Sequence, residues 1–184
     1  KPKISDTIIR GGKTIQLMNI PVYRCKRSEG NLVYLLIKRI FDVVLSLIGI
    51  IVLSPVFLAV ALAIKIDDGG PVFYKQKRLT TNGKVFEIIK FRSMRVDAEK
   101  DGVARLAGDD DDRITKVGRF IRMLRLDELP QIFNILSGSM SIVGPRPERP
   151  EIAKEYEEHI PEFSLRLQVK AGLTGYAQVY GKYN

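Results

Sequence analysis

Two adjacent carboxylates, Asp127 and Glu128, stand at the end of a basic stretch that carries Arg122 and Arg125. A carboxylate attacks a phosphorus well only when the negative charge of its target is neutralised. Arginine forks, lysines and magnesium supply that neutralisation. Arg122, Arg125, Arg146, Lys90 and Arg92 are the candidate cations. The set suits a phosphorylated substrate, with one carboxylate as nucleophile and its neighbour as metal ligand. A plainer reading is open too: Asp127 caps the helix that follows, and Glu128 sits in its first turn. Composition narrows the metal. One cysteine, Cys25, and one histidine, His159, exclude a cysteine cluster or a His-rich site. A metal would be held by carboxylate and phosphate oxygens, which points to Mg2+.

The elements that must position these groups include an apolar run from Val43 to Ile64, about 22 residues without a charge. As a straight helix it would be about 33 Å long, enough to cross a hydrocarbon core of about 30 Å. One spanning helix is the simple reading. Pro55, preceded by Ser54, sits near its centre, where it removes a backbone donor and bends a helix. Basic residues lie on both flanks, Lys38 and Arg39 before and Lys65, Lys75, Lys77 and Arg78 after. The positive-inside tendency then puts both ends in the cytoplasm. A bent helix that enters and leaves one leaflet satisfies both facts, with Ser54 bonding a carbonyl freed by the break. The run starts far from the N-terminus and lacks a small-residue cleavage pattern, so it reads as a membrane element rather than a signal peptide.

Lys+Arg 30 against Asp+Glu 21 gives +9 over 184 residues. That excess suits nucleic acid, an anionic lipid surface or a phosphorylated small molecule. Nucleic acid fits worst, because basic strands interleaved with aromatics are missing and the apolar run would have no purpose. The organisation reads as 1–31, a linker or remnant of an upstream domain; 32–66, a re-entrant helix-break-helix; and 67–184, a cytoplasmic catalytic domain, read as truncated at its C-terminus. Thr14–Met18 and Val22-Tyr23 suggest short strands. Gly12-Lys13-Thr14 is not a P-loop, because Thr7 stands where its first glycine belongs.

Beyond the apolar run, Val72-Phe73-Tyr74 and Val85–Ile89 flank Thr81-Asn82-Gly83, a hairpin signal. Asp109 to Asp112 lacks the glycine and closing glutamate of an EF-hand and reads as a solvated loop, with Asp112 as the next N-cap. Ile114 to Leu126 is an amphipathic helix. Ile114, Val117, Phe120, Ile121 and Leu124 form its apolar face, suited to a membrane surface or equally to a core. Pro130 to Leu136 reads as a helix with Gly138 after its end. Ser141 to Pro147 reads as a rigid turn aiming Arg146, Pro150 to His159 as a charged helix, and Ala171 to Gly175 as a loop. The fold class is mainly α with a small β-hairpin (α+β).

Six motifs in series, from about Val33 to Lys182, resemble the bacterial sugar transferases called monotopic phosphoglycosyl transferases. They are Lys38-Arg39…Asp42, Ser54-Pro55, Lys90-Phe91-Arg92-Ser93-Met94, Leu126–Gln131, Gly144-Pro145-Arg146-Pro147 and Gly172-Leu173-Thr174-Gly175. The resemblance implies a re-entrant helix broken at Ser54-Pro55, Asp127 forming a covalent phosphosugar intermediate, and Glu128 binding magnesium. It implies phosphate contacts at Arg122 and Arg146. It also implies transfer of a sugar phosphate from a nucleotide diphosphate sugar, a UDP-sugar by expectation, to polyprenyl phosphate at the inner-membrane face, the first membrane step of polysaccharide synthesis. Lys182 stands where some members carry a phosphate-binding arginine; it keeps the charge and loses the fork. The larger members allow a homo-oligomer of a full-length protein. The competing reading is a non-catalytic basic adaptor on a membrane surface.

Overall fold

The computed structural model describes residues 13–17, 20–24, 32–98 and 111–180. The chain divides into two units, residues 1–37 and 38–184. In the first, β1 (Lys13–Leu17) and β2 (Ile20–Arg24) pair antiparallel, with Thr14 opposite Tyr23. They lie where two short strands were expected. The described residues are mainly helical, with three two-stranded sheets. Lys182 and Asp109 lie outside them.

Helix α1 (Leu32–Asp68) is long and apolar enough to cross a membrane. It runs through Ser54-Pro55 with Pro55 inside it, so the expected division into two helices is not seen. The reason is local. A helical residue at 55 would donate its N–H to the carbonyl of Ile51, and proline has none to give. The Ser54 hydroxyl donates to that same oxygen at 2.8 Å, so the freed acceptor is satisfied without opening the helix. One stripe of α1 is covered, through Asp42, Ser46, Val60 and Ile64. Their near-heptad spacing is that of a helix lying along a partner. The other faces are open, with Ile51 73% and Val52 67% exposed.

β3 (Phe73–Leu79) and β4 (Val85–Phe91) form the expected hairpin. Asn82 and Gly83 turn it with φ of 59° and 72°, the left-handed region that asparagine and glycine enter most cheaply. Strand alternation sorts β4 between two cores. Phe91 packs with Val60 and Ile64 of α1 and with Ile121. Phe86 and Ile88, on the opposite face, pack with Ile135, Met140 and Ala171. Lys90 shares the face of Ile88.

Helix α2 (Lys116–Met123) is shorter than its sequence pattern suggests. Its N-cap is Thr115, not Asp112: the Thr115 hydroxyl accepts from the Gly118 N–H at 2.9 Å. Ile121 is buried and Val117 packs beside it. Phe120 and Leu124, expected on the same face, are exposed, because the helix docks through Gly118. A Cβ there would come within 1.9 Å of the Ser93 carbonyl oxygen.

Helix α3 (Gln131–Ser137) ends at Gly138 with φ 90°. It is fixed to the hairpin by Asn134. The side-chain amide of Asn134 donates to the Glu87 carbonyl at 2.7 Å and accepts from the Ile89 N–H at 2.9 Å. One buried side chain thus pairs the free edge of β4 as a neighbouring strand would. Two segments expected as turns are strands instead. β5 (Ser141–Val143) and β6 (Gly172–Thr174) pair in parallel, Ser141 opposite Gly172. Three residues are too few for periodicity to register. Helix α4 (Pro150–His159) matches its expected bounds. A 3-10 segment (Pro161–Gln168) leads from it toward β6, and α5 (Tyr176–Tyr180) follows β6.

Candidate active site

The dyad lies between α2 and α3. After Met123 the chain takes a left-handed step at Arg125, φ 56°, and closes into a single 3-10 turn, Leu126–Glu128. Leu126 and Leu129 point into the core formed by α1, β4 and α2. The leucines on either side thus anchor the turn that presents the two carboxylates. Asp127 is not the cap of α3, whose N-cap position is Pro130 and which has no side-chain cap. The capping alternative is therefore set aside.

Glu128 meets two cations on one oxygen. Lys90 Nζ lies 2.8 Å from its Oε1, and Arg146 Nη2 lies 3.3 Å from the same atom. Burial alone would push the Glu128 carboxyl up; Lys90 and then Arg146 outweigh it and hold the group below its ordinary 4.5. Asp127 goes the other way. Burial pushes it above its ordinary 3.8, and Glu128 adds to that, against the pull of Lys90 and Arg122. Two neighbouring carboxylates thus have divided characters, one made more acidic than usual and one made more basic. That division suits a fixed anion beside a nucleophile.

Arg146 is aimed by its surroundings. It follows β5 between Pro145 and Pro147, and its carbonyl accepts from Arg166. Arg78 donates to the Pro147 carbonyl at 3.3 Å, and Glu148 lies 3.8 Å from both Arg78 and Arg166. The neighbouring backbones are packed to contact: a Cβ on Gly172 would come within 2.0 Å of the Gly144 nitrogen, so a side chain at 172 would force β6 away from the Pro-Arg-Pro turn.

The sequence candidates therefore separate. Asp127, Glu128, Lys90 and Arg146 come together. Arg122 acts on Asp127 through its charge, and Arg125 on Glu128. Arg92 does not join them. Its guanidinium is buried against Asp68 at the end of α1, and a Cβ on Gly70 would meet its Nη1. Two residues further along β4 and its continuation, the chain has passed beneath α1. Residues missed in the sequence include Arg78, Arg166 and Glu148, which hold the Pro-Arg-Pro turn. Another is Gln178, which lines a narrow cleft with Arg78, Lys90, Glu128, Gln131 and Arg146. The bulky Tyr176-Ala177-Gln178-Val179-Tyr180 run carries no charge or spacing that would have marked it. Asp127 stands beside that cleft rather than in its lining.

No group of three or more His, Cys, Asp or Glu gathers among the described residues. Among the described residues the site offers two neighbouring carboxylates, and other oxygens would come from substrate phosphate and water. That is the usual habit of magnesium. Lys90 and Arg146 both engage Oε1 of Glu128, so Oε2 is the oxygen that these contacts leave. The residues present fit the ion.

A hairpin, a 3-10 turn and a Pro-Arg-Pro turn thus converge to set a carboxylate pair among cations beside a long apolar helix. The chain belongs to the bacterial sugar transferase family, whose sequence profile matches residues 33–184. It is 44% identical over 162 residues to the UDP-glucose:undecaprenyl-phosphate glucose-1-phosphate transferase of Escherichia coli (strain K12), covering 88% of this chain and 34% of that protein. It is 44% identical over 151 residues to the UDP-N-acetylgalactosamine-undecaprenyl-phosphate N-acetylgalactosaminephosphotransferase of Aeromonas hydrophila, covering 82% of this chain and 36% of that protein. With the exopolysaccharide production protein PSS of Rhizobium leguminosarum bv. phaseoli it shares 44% identity over 151 residues, covering 80% of this chain and 75% of the relative. The chain thus spans about a third of the first two relatives and three quarters of the third.

Proposed function

We propose that this chain is the catalytic part of a phosphoglycosyl transferase. It moves a sugar 1-phosphate from a nucleotide diphosphate sugar, a UDP-sugar on the evidence of the relatives' names, to undecaprenyl phosphate. The observation that carries the reading is the dyad, Asp127 raised by burial above its ordinary 3.8 beside a Glu128 held by Lys90 and Arg146. A direct encounter of polyprenyl phosphate with a diphosphate would bring two anions together. A covalent intermediate splits that step in two. An Asp127 oxygen forms a bond to the sugar-bearing phosphorus while the bond from that phosphorus to the bridging oxygen breaks, and the electron pair leaves on the nucleoside monophosphate. An oxygen of the lipid phosphate then bonds to the same phosphorus and Asp127 departs as carboxylate. Lys90, Arg146 and Arg122 neutralise the phosphoryl oxygens. Bound magnesium, held by Glu128, would supply further neutralisation of the diphosphate charge.

Re-entrance of α1 at the cytoplasmic face is part of the proposal. Within residues 38–184 both flanks of the apolar run are fastened to one body. Arg39 donates to the carbonyls of Ile135 and Leu136 at 2.7 Å each, closing the C-terminus of α3. Asp42 accepts from the Ser141 hydroxyl at 2.8 Å and the Ile142 N–H at 3.0 Å. At the other end Asp67 accepts from the Val117 N–H at 3.2 Å, and Asp68 pairs with Arg92. A helix tied at both ends to one polar body fits entry and exit on one side better than a simple crossing. With Cys25 replaced by serine, cysteines at Leu32 and Lys75 should both be labelled from the cytoplasmic side alone; labelling from opposite sides would contradict re-entrance. The activity is tested by incubating the chain with polyprenyl phosphate and a panel of nucleotide sugars. Release of nucleoside monophosphate that requires the lipid is expected. A non-catalytic adaptor would bind vesicles and release none.

A further inference from the structure

We infer that Gln178 reads hydroxyl groups of the transferred sugar and so sets donor specificity; the inference rests on the transferase reading. The amide of Gln178 is buried, and neither its oxygen nor its nitrogen has a hydrogen-bond partner among the described residues. Burying an unpaired amide is unfavourable, so its retention calls for a partner supplied from outside the chain. The side chain is folded back over Gly175: a Cβ there would come within 2.9 Å of the Gln178 oxygen. Gly175 itself abuts the Gly144 carbonyl, where the chain turns toward Arg146. Gln178 lines the cleft together with Lys90, Glu128 and Arg146, its amide just beneath the surface.

The chemistry of the missing partner is constrained. An amide offers an acceptor and two donors side by side. A phosphate offers acceptors only, and a cation satisfies the oxygen only. Vicinal hydroxyls offer both, as does the imide edge of a pyrimidine base. Lys90 and Arg146, lining the same cleft, are the cations that would hold the attacked phosphate. The sugar is bonded directly to that phosphorus, whereas the base lies beyond a second phosphate and a ribose. The hydroxyls of the sugar are the nearer match. A site built to hydrogen-bond a hydroxyl strongly rejects an analogue that presents it wrongly, because its own polar atoms then stay unpaired.

The test compares wild type, Gln178→Leu and Gln178→Met on nucleotide sugars that differ at one hydroxyl, with polyprenyl phosphate as acceptor. For the preferred donor kcat/KM should fall by about tenfold or more, and the preference over its epimer should collapse toward one. Inhibition by the matching nucleoside diphosphate, which lacks the sugar, should stay within about twofold. The Tm should hold or rise, since an unpaired amide has been removed. Retained discrimination would overturn the inference, as would a parallel loss of nucleoside diphosphate binding, which would assign the amide to the base. Loss of folding in both variants would make the amide structural and overturn it as well. A wild-type chain that releases nucleoside monophosphate from no donor would instead defeat the transferase reading itself.

Discussion

Lys90, in β4, and Arg92, just past its end, lie two residues apart, and each meets a carboxylate, yet they build different things. Arg92 is 6% exposed at its side chain and pairs with Asp68, roofed by Gly70 and α1. Lys90 and Glu128 are 18% and 16% exposed. They border a cleft, and Arg146 adds a second cation to the same oxygen. One cation and one carboxylate, the guanidinium buried and Asp68 25% exposed, form a charge-balanced fastening between α1 and the end of the hairpin. Lys90 and Arg146 on Glu128, with Arg122 and Arg125 acting on the dyad from close by, outnumber the two carboxylates and leave positive charge for a substrate anion. A surplus of cations bordering a cleft, rather than the presence of an ion pair, distinguishes the site from the scaffold.

The largest expected effect on the scaffold side is on stability. Asp68→Asn leaves Arg92 buried without its counter-charge and should cost about 3 kcal/mol, read as a lower midpoint in denaturant. Turnover per folded molecule should be little changed. A large loss of turnover at unchanged stability would move Arg92 into the site. On the site side, Glu128→Gln should lower kcat by about a hundredfold and weaken the dependence on magnesium. An unchanged magnesium dependence would remove Glu128 as its ligand. Arg146→Lys keeps the charge and loses the fork, so kcat/KM should fall by about tenfold while Tm barely moves. Full activity would show that charge alone suffices.

The smallest effects concern pH, and the two carboxylates should differ in sign. Glu128 is held below its ordinary 4.5 in the folded chain. It therefore stabilises above 4.5, and that contribution is lost as pH falls through its lowered folded value. Asp127 is raised above 3.8. Its ionisation thus opposes folding at neutral pH, and the penalty vanishes below 3.8. Relative to wild type, Glu128→Gln should lose stability at pH 7 and regain parity in acid. Asp127→Asn should gain a little at pH 7 and lose that gain in acid. Turnover that needs ionised Asp127 should fall on an acid limb with its midpoint above 3.8. A midpoint below that value would contradict the burial of Asp127.

What was legible in the sequence follows from how local each signal is. Asn82-Gly83 marked its hairpin because the left-handed turn restricts residue type at those two positions. Pro150 to His159 was legible because its proline start and charged periodicity lie within one helix. The dyad and the Pro-Arg-Pro turn stood out by residue type. Separating Lys90 from Arg92 was not possible, because their fates depend on Asp68 and Gly70, some twenty residues upstream. The parallel pair β5 and β6 is three residues long on each side, and its partners are about thirty residues apart. Asn134 standing in for a strand, and Gln178 waiting unpaired beside Glu128, are tertiary facts that no periodicity carries. The apolar run was legible as a membrane element from its length and lack of charge, but the expected helix-break-helix is one continuous helix, because the Ser54 hydroxyl satisfies the carbonyl that Pro55 frees.

The central claim is that Asp127, rather than Glu128, carries the covalent bond to phosphorus. The direct measurement is the intact mass of the protein after incubation with donor sugar and magnesium, without lipid acceptor. Wild type should gain the mass of one sugar phosphate and lose it again when polyprenyl phosphate is added. Asp127→Asn should show no turnover and no added mass, although its Tm does not fall. An undiminished adduct in Asp127→Asn would contradict the account and remove Asp127 from the mechanism.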